Sequence, residues 1–112
     1  MGYRLVANGI AQQASGGKLD HHPVVKLFTP DAGAAWLISE LDPEDEDLAF
    51  GLCDLGIGFP ELGYVRLSEI AAVRGKLGLP VERDLHWISR GPLSVYAAAA
   101  NRAKHIIQLK DP

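Results

Sequence analysis

Two short stretches concentrate the side chains that do chemistry. The first, ELDPEDEDLAFGLCDLG (40–56), holds seven carboxylates in seventeen residues and no Lys or Arg. The second, LPVERDLHW (79–87), places Glu82, Arg83, Asp84 and His86 within five residues. Dense carboxylates suit a hard divalent cation, which takes its ligands from oxygen. A calcium loop of the EF-hand type starting at Asp42 would use Glu44 and Glu46 as its next ligands. Its sixth position, which must be Gly, is Asp47, and its twelfth, which must be Glu, is Cys53. That register fails. Asp42-Pro43 opens a turn instead, with Pro43 presetting φ, and Asp42, Glu44, Asp45, Glu46 and Asp47 form a charged tip that keeps a hairpin soluble. These five acids are candidates for binding a partner. A metal-dependent hydrolase or nuclease using Asp42, Glu44 and Asp54 is the enzymatic alternative.

In LPVERDLHW a carboxylate beside an imidazole suits orientation of a general base, and an Arg suits clamping of a phosphate or carboxylate. The set is local, however, whereas active sites gather groups from separate segments. The chain has neither a G-x-S-x-G nucleophile motif nor a phosphate-cradling Gly loop. A buried or edge segment in which Arg83 pairs with acids from neighbouring strands is the more economical reading. Glu82, Arg83, Asp84 and His86, with Glu61 of FPELGYV (59–65), join the binding candidates, and no residue is assigned a catalytic role. The exposed PELG of that segment suits presentation of a strand edge or a small hydrophobic knob to a partner. His21, His22, His86, His105 and Cys53 match no zinc-ligand spacing, so no metal or other cofactor is implied. Trp36, Trp87, Phe28, Phe50 and Tyr64 have only Lys26 and Arg66 near them. A base-stacking platform interleaves aromatic and basic groups, so these rings read as core.

The elements that must position these groups follow from apolar periodicity. Residues 3–14 contain a short helix with Asn8-Gly9 as its stop. SGGKLDHHP (15–23) is a loop. VVKLF (24–28), AAWLISEL (34–41), LAFGLCDL (48–55) and ELGYVRL (61–67) alternate or are β-branched, and PDAG (30–33) has turn chemistry. In the second of these, Trp36, Ile38 and Glu40 fall on one face and Leu37, Ser39 and Leu41 on the other. Both faces are partly apolar, as in a central strand covered on both sides. Ser68 is placed to cap a short helix that Gly75 closes. KLGLPVERDLHW (76–87) reads as extended or irregular. Pro92 precedes the Ala-rich LSVYAAAANRAKHIIQL (93–109), which suits a C-terminal helix. The fold class is α+β: an antiparallel meander of about four strands, a short helix after the last strand, and N- and C-terminal helices.

At 112 residues, with 47% apolar and 22% charged residues, the chain has the composition of one ordinary globular domain. No apolar run approaches the ~20 residues of a membrane span, and MGYRLVANGIAQQ lacks a signal-peptide pattern. A cytoplasmic protein with no membrane partner is expected, and the lone Cys53 fits a reducing compartment. The net charge of −3 is segregated: residues 31–61 carry nine acids and no base, while 62–112 carry eight bases against four acids. Such segregation marks separate interaction surfaces. The acidic half suggests imitation of nucleic acid, but the net charge is modest for that task. Basic residues including Arg102, Lys104 and Lys110 give nucleic-acid binding its own weaker support.

Six blocks carry a resemblance: KLFTPDAG (26–33), ELDPEDED (40–47), FGLCDLG (50–56), PELGYV (60–65), RGKLGLPVERDLHW (74–87) and PLSVYA (92–97). In this order and spacing they closely resemble a bacterial family catalogued as a domain of unknown function, number twenty-nine fifty-eight. They cover most of residues 24–97, while SGGKLDHH and the Ala-rich end look idiosyncratic. Members are often encoded on plasmids, integrative elements and phage-derived regions, so the resemblance implies a mobile-element accessory role. It brings no reaction and no catalytic residue. The combined expectation is a small accessory protein that binds an unidentified protein partner, antagonism of a host defence system being one form of that role. Sequence alone leaves the oligomeric state open.

Overall fold

The structure is a computed structural model that describes residues 2–109. Helix α1 (Gly2–Ala14) leads into β1 (Val25–Phe28), β2 (Ala35–Asp42), β3 (Asp45–Asp54) and β4 (Glu61–Arg66). Helix α2 (Leu67–Ala71), strand β5 (Glu82–Arg83) and helix α3 (Leu93–Ala103) follow. The five strands form one antiparallel sheet in the order β4-β3-β2-β1-β5. The expected four-strand meander is present. A fifth strand extends it, because Glu82 and Arg83 pair with Phe28 and Leu27 along the free edge of β1.

Two apolar layers sandwich the sheet. Leu5 of α1 and Ile70 of α2 pack with Val25, Trp36, Ile38, Leu41 and Ala49 on one face. Leu93, Tyr96, Ala97 and Ala100 of α3 pack with Leu37 and Leu52 on the other. Central strand β2 is therefore covered on both sides, as its two apolar faces require. One assignment within it changes. The register slips between Ile38 and Glu40 and again between Leu41 and Asp42. An inserted residue turns the following side chains to the other face, so Leu41 joins Trp36 and Ile38 while Glu40 pairs with Phe50.

The helix α1 does not stop at Asn8-Gly9. Asn8 Nδ2 donates to the Ser39 carbonyl at 2.9 Å, beyond the point where β1 ceases to pair with β2. A Cβ on Gly9 would overlap the Leu41 carbonyl oxygen, so glycine there permits the helix to lie against β2. Asn8-Gly9 is thus a contact and not a terminus.

The short helix α2 begins after Arg66, not at Ser68, and its C-cap is Ala72, short of Gly75. Its cap comes from another strand: Asp47 accepts hydrogen bonds from Ser68 N at 2.9 Å and Ser68 Oγ at 2.7 Å. At α3, Pro92 occupies the N-cap position, and Asp20 accepts from both the Ser94 amide and the Ser94 hydroxyl. The loop 15–24 therefore anchors α3, which gives the SGGKLDHH stretch a structural task. The helix ends at Lys104 in the left-handed conformation, φ 68°, and the chain turns back so that buried Asp54 accepts from Ile106 N at 2.9 Å.

Candidate functional site

Most of the acidic run is occupied with architecture. Only Pro43 and Glu44 lie between the strands; Asp45, Glu46 and Asp47 belong to β3, so the charged tip is smaller than the sequence indicates. Asp42 Oδ1 accepts the Glu44 amide at 2.8 Å. Arg66 Nη1 reaches Asp45 Oδ2 at 3.0 Å and Asp47 Oδ2 at 3.7 Å. Among the described residues the ion-pairing partner of the acidic run is thus Arg66, where Arg83 was expected. The hydrogen bond from the Ser68 side chain leads the interactions that hold the Asp47 carboxyl below its usual range. Asp45 likewise keeps the Arg66 guanidinium more firmly protonated.

The Glu82–His86 segment stands elsewhere. Residue Phe28 pairs with both Ala35 and Glu82, whereas the acidic hairpin closes at Asp42↔Asp45. Glu82 thus lies seven positions along β2 from that closure, roughly 23 Å at about 3.3 Å per residue, and β1 stands between β5 and β2. The two stretches do not converge. Asp84 Oδ1 receives the backbone amide of His86 at 3.0 Å, so their recorded contact does not orient the imidazole. Arg83 is exposed on β5. Glu61 opens β4 opposite Cys53; burial first, and then the Glu61 charge, push the Cys53 thiol up.

A different carboxylate lies at the centre of a cleft. Glu40 is only 8% exposed and lines two adjoining cavities of about 270 and 360 Å³. Gln12, Gly17 and Phe50 also line both, Tyr64 and Asp42 belong to the first, and Asp20, His21 and Leu62 to the second. Among the described residues no Lys or Arg lines either cavity. Gln12 Nε2 approaches Glu40 Oε1 at a long 3.5 Å. Burial raises the carboxyl pKa, opposed by the charge of His21 and the Gln12 contact. Phe50 and Tyr64 meet edge to face, with centroids 5.0 Å apart, and form an aromatic wall. Strand alternation in AAWLISEL puts Glu40 on the face of Trp36 and Ile38, and the register slip after Ile38 turns it away from that face, so no local signal in the sequence locates it in the cleft.

Beside this cleft the surface is apolar. Leu55, Ile57, Phe59, Leu62 and Tyr64 are 46% to 72% exposed within ten residues of sequence. Gly56 and Gly58 adopt positive φ, 80° and 90°, and shape the loop that presents the first three. Strand β4 is the end of the sheet, so its outer edge has no neighbouring strand among the described residues.

By class this is an α+β protein, a five-stranded antiparallel sheet between helical layers with an acidic cleft at one end. Residues 2–107 match the family described as protein of unknown function (DUF2958), and the chain belongs to that family. The match takes in α1 and α3, so both terminal helices are part of the family's domain, beyond the 24–97 core that the motifs suggest. No curated protein matches the chain, and no solved structure does.

Proposed function

We propose that this protein is a non-catalytic binding module that recognises a protein partner through β4 and the 55–59 loop. The observation that carries this is the run of five exposed large apolar side chains, Leu55, Ile57, Phe59, Leu62 and Tyr64, along an open sheet edge. Exposed large apolar side chains concentrated in one short stretch suit an interaction site, and aromatic side chains dominate binding energy within such sites. An open edge adds unpaired backbone groups that an extended segment of a partner can satisfy. The neighbouring cleft supplies negative charge at Glu40, Asp42 and Asp20, favouring a partner with a cationic side chain near its apolar anchor.

The proposal includes cytoplasmic work as a mobile-element accessory protein, supported by the family resemblance; antagonism of a host defence complex is one form it takes. Among the described residues no group of three or more His, Cys, Asp or Glu is placed to hold a metal ion. A metal-dependent hydrolase or nuclease therefore gains no support. Arg102 and Lys104 are exposed at the end of α3, and Lys110 lies outside the described residues. No helix among the described residues is long and apolar enough to cross a membrane.

Affinity capture from the native host tests the reading. Wild-type protein should recover a stoichiometric partner, and Ile57→Asp and Phe59→Asp, both at exposed loop positions, should lose it while retaining the wild-type melting temperature. Recovery of no stoichiometric partner, or retention of the partner by both variants, would count decisively against it.

A further inference from the structure

The residues of LPVERDLHW that fail to meet the acidic run help to build a cavity at the β5 edge. Its volume is about 460 Å³, within the ~300–1,000 Å³ typical of small-ligand sites. Arg4 comes from α1, His22 from the 15–24 connection, Arg83 from β5, and Trp87 and Ser89 from the segment before α3. Three stretches far apart in sequence thus bring two Arg residues, a His, a Ser and a Trp to the wall of one cavity. Among the described residues no carboxylate lines the cavity. Neither Arg4 nor Arg83 makes an ion pair with a described residue; the ion pairs among the described residues belong to Arg66. The nearest acid in sequence that follows Arg83, Asp84, accepts the His86 amide and does not line the space.

Guanidinium groups stay charged at every physiological pH. Two Arg residues lining one cavity with no acid among the described lining residues favour an anion in it. We propose that this cavity binds an oxyanion, a phosphate or carboxylate group, carried by a small molecule with an aromatic body. The planar fork of each guanidinium matches two oxygens of such a group. Trp87 supplies the surface for the body: its ring lies 5.9 Å from that of buried Tyr96, tilted by 53°, and α3 thereby fixes its position. Ser89 Oγ donates to the Gly91 carbonyl at 3.0 Å and lies 3.4 Å from His22 Nδ1, which ties the hydroxyl and the imidazole together at the rim. The charge logic is opposite to that of the Glu40 cleft, where acids line the walls without Lys or Arg. This inference stands independently of the partner-binding reading of β4.

Tryptophan fluorescence of the full chain reads the binding, since Trp36 is buried in the core and Trp87 lines the cavity. Phenyl phosphate, benzoate and inorganic phosphate are titrated separately into the millimolar range at low ionic strength. Saturable quenching is expected, tighter for phenyl phosphate than for inorganic phosphate. The ratio of phenyl phosphate to benzoate affinity then assigns the oxyanion. Arg83→Gln and Arg4→Gln should each weaken binding roughly tenfold or more, the scale of one lost charge-assisted hydrogen bond. Arg74→Gln should leave it unchanged, because Arg74 donates to the Ala71 and Val73 carbonyls away from the cavity. Near-UV circular dichroism confirms that each variant is folded. Absence of saturable quenching by all three ligands, or an equal loss in Arg74→Gln, overturns the proposal.

Discussion

At Glu40 burial acts against the charged carboxylate, and the nearby His21 and Gln12 offset it in part. The folded protein therefore keeps this proton to a higher pH than the unfolded chain, whose value is near 4.5. Between the two values the native state binds more protons, so the contribution of Glu40 to stability falls as pH rises through that window. Above the window the full penalty of a buried charge is present; below 4.5 it is gone. Glu40→Gln removes the charge and preserves the shape. It should raise the urea midpoint at pH 7 and leave it nearly unchanged below pH 4.5. Equal shifts at both pH values would assign the effect to packing instead. A buried, unfavourable charge at the floor of a cleft is the pattern expected where a residue serves binding more than stability.

The elements show where local sequence rules succeed and where they fail. Local sequence placed all four meander strands, VVKLF by its β-branched and aromatic content and the other three by alternating side-chain patterns between turn residues. Helix boundaries were less legible because their determinants are distant in sequence. Asn8-Gly9 looks like a stop, yet Gly9 serves the close approach of α1 to β2. Ser68 looks like a cap, yet it is itself capped by Asp47, 21 residues earlier. The same long-range contacts explain the site: acids that resemble a metal loop are caps and ion-pair partners, and the two arginines of the β5 cavity come from residues 4 and 83. Strand β5 had only two residues to announce it, too few for any period. Asp47 allows a direct test of the capping account. Asp47→Ala should lower the melting temperature at pH 7 and speed amide exchange at Ser68. The Asp47 carboxyl is held below its ordinary value of 3.8, so its stabilisation is present above that pH and is lost as pH falls through the folded-state value. The difference between variant and wild type should accordingly shrink in strong acid; a constant difference would separate the effect from the carboxylate's charge.

The whole molecule depends on β2 and β3, because each apolar layer rests on one face of the same central strands. Adjacent residues of β2 serve opposite layers: Leu37 packs beneath α3, and Ile38 packs with α1 and α2. Both are essentially inaccessible to solvent. If the sheet couples the layers, damage to either one destabilises the entire fold, and no half of it persists alone. Leu37→Ala and Ile38→Ala should each cost about 2–5 kcal/mol, the range for large-to-small changes in a packed core. In urea, far-UV circular dichroism and tryptophan fluorescence should then report one coincident transition for each variant. The fluorescence is informative because Trp36 belongs to the α1 layer and Trp87 to the α3 layer. Separate transitions in Leu37→Ala, with the α3 side melting first, would show that the layers are independent. Coupling also bears on the binding surfaces: the Glu40 cleft and the β5 cavity both reach the connection before β1, His21 lining the first and His22 the second, so a rigid shared sheet holds both at a fixed separation. Occupation of the β5 cavity should therefore raise the single melting transition of the whole protein and leave no second, unshifted one.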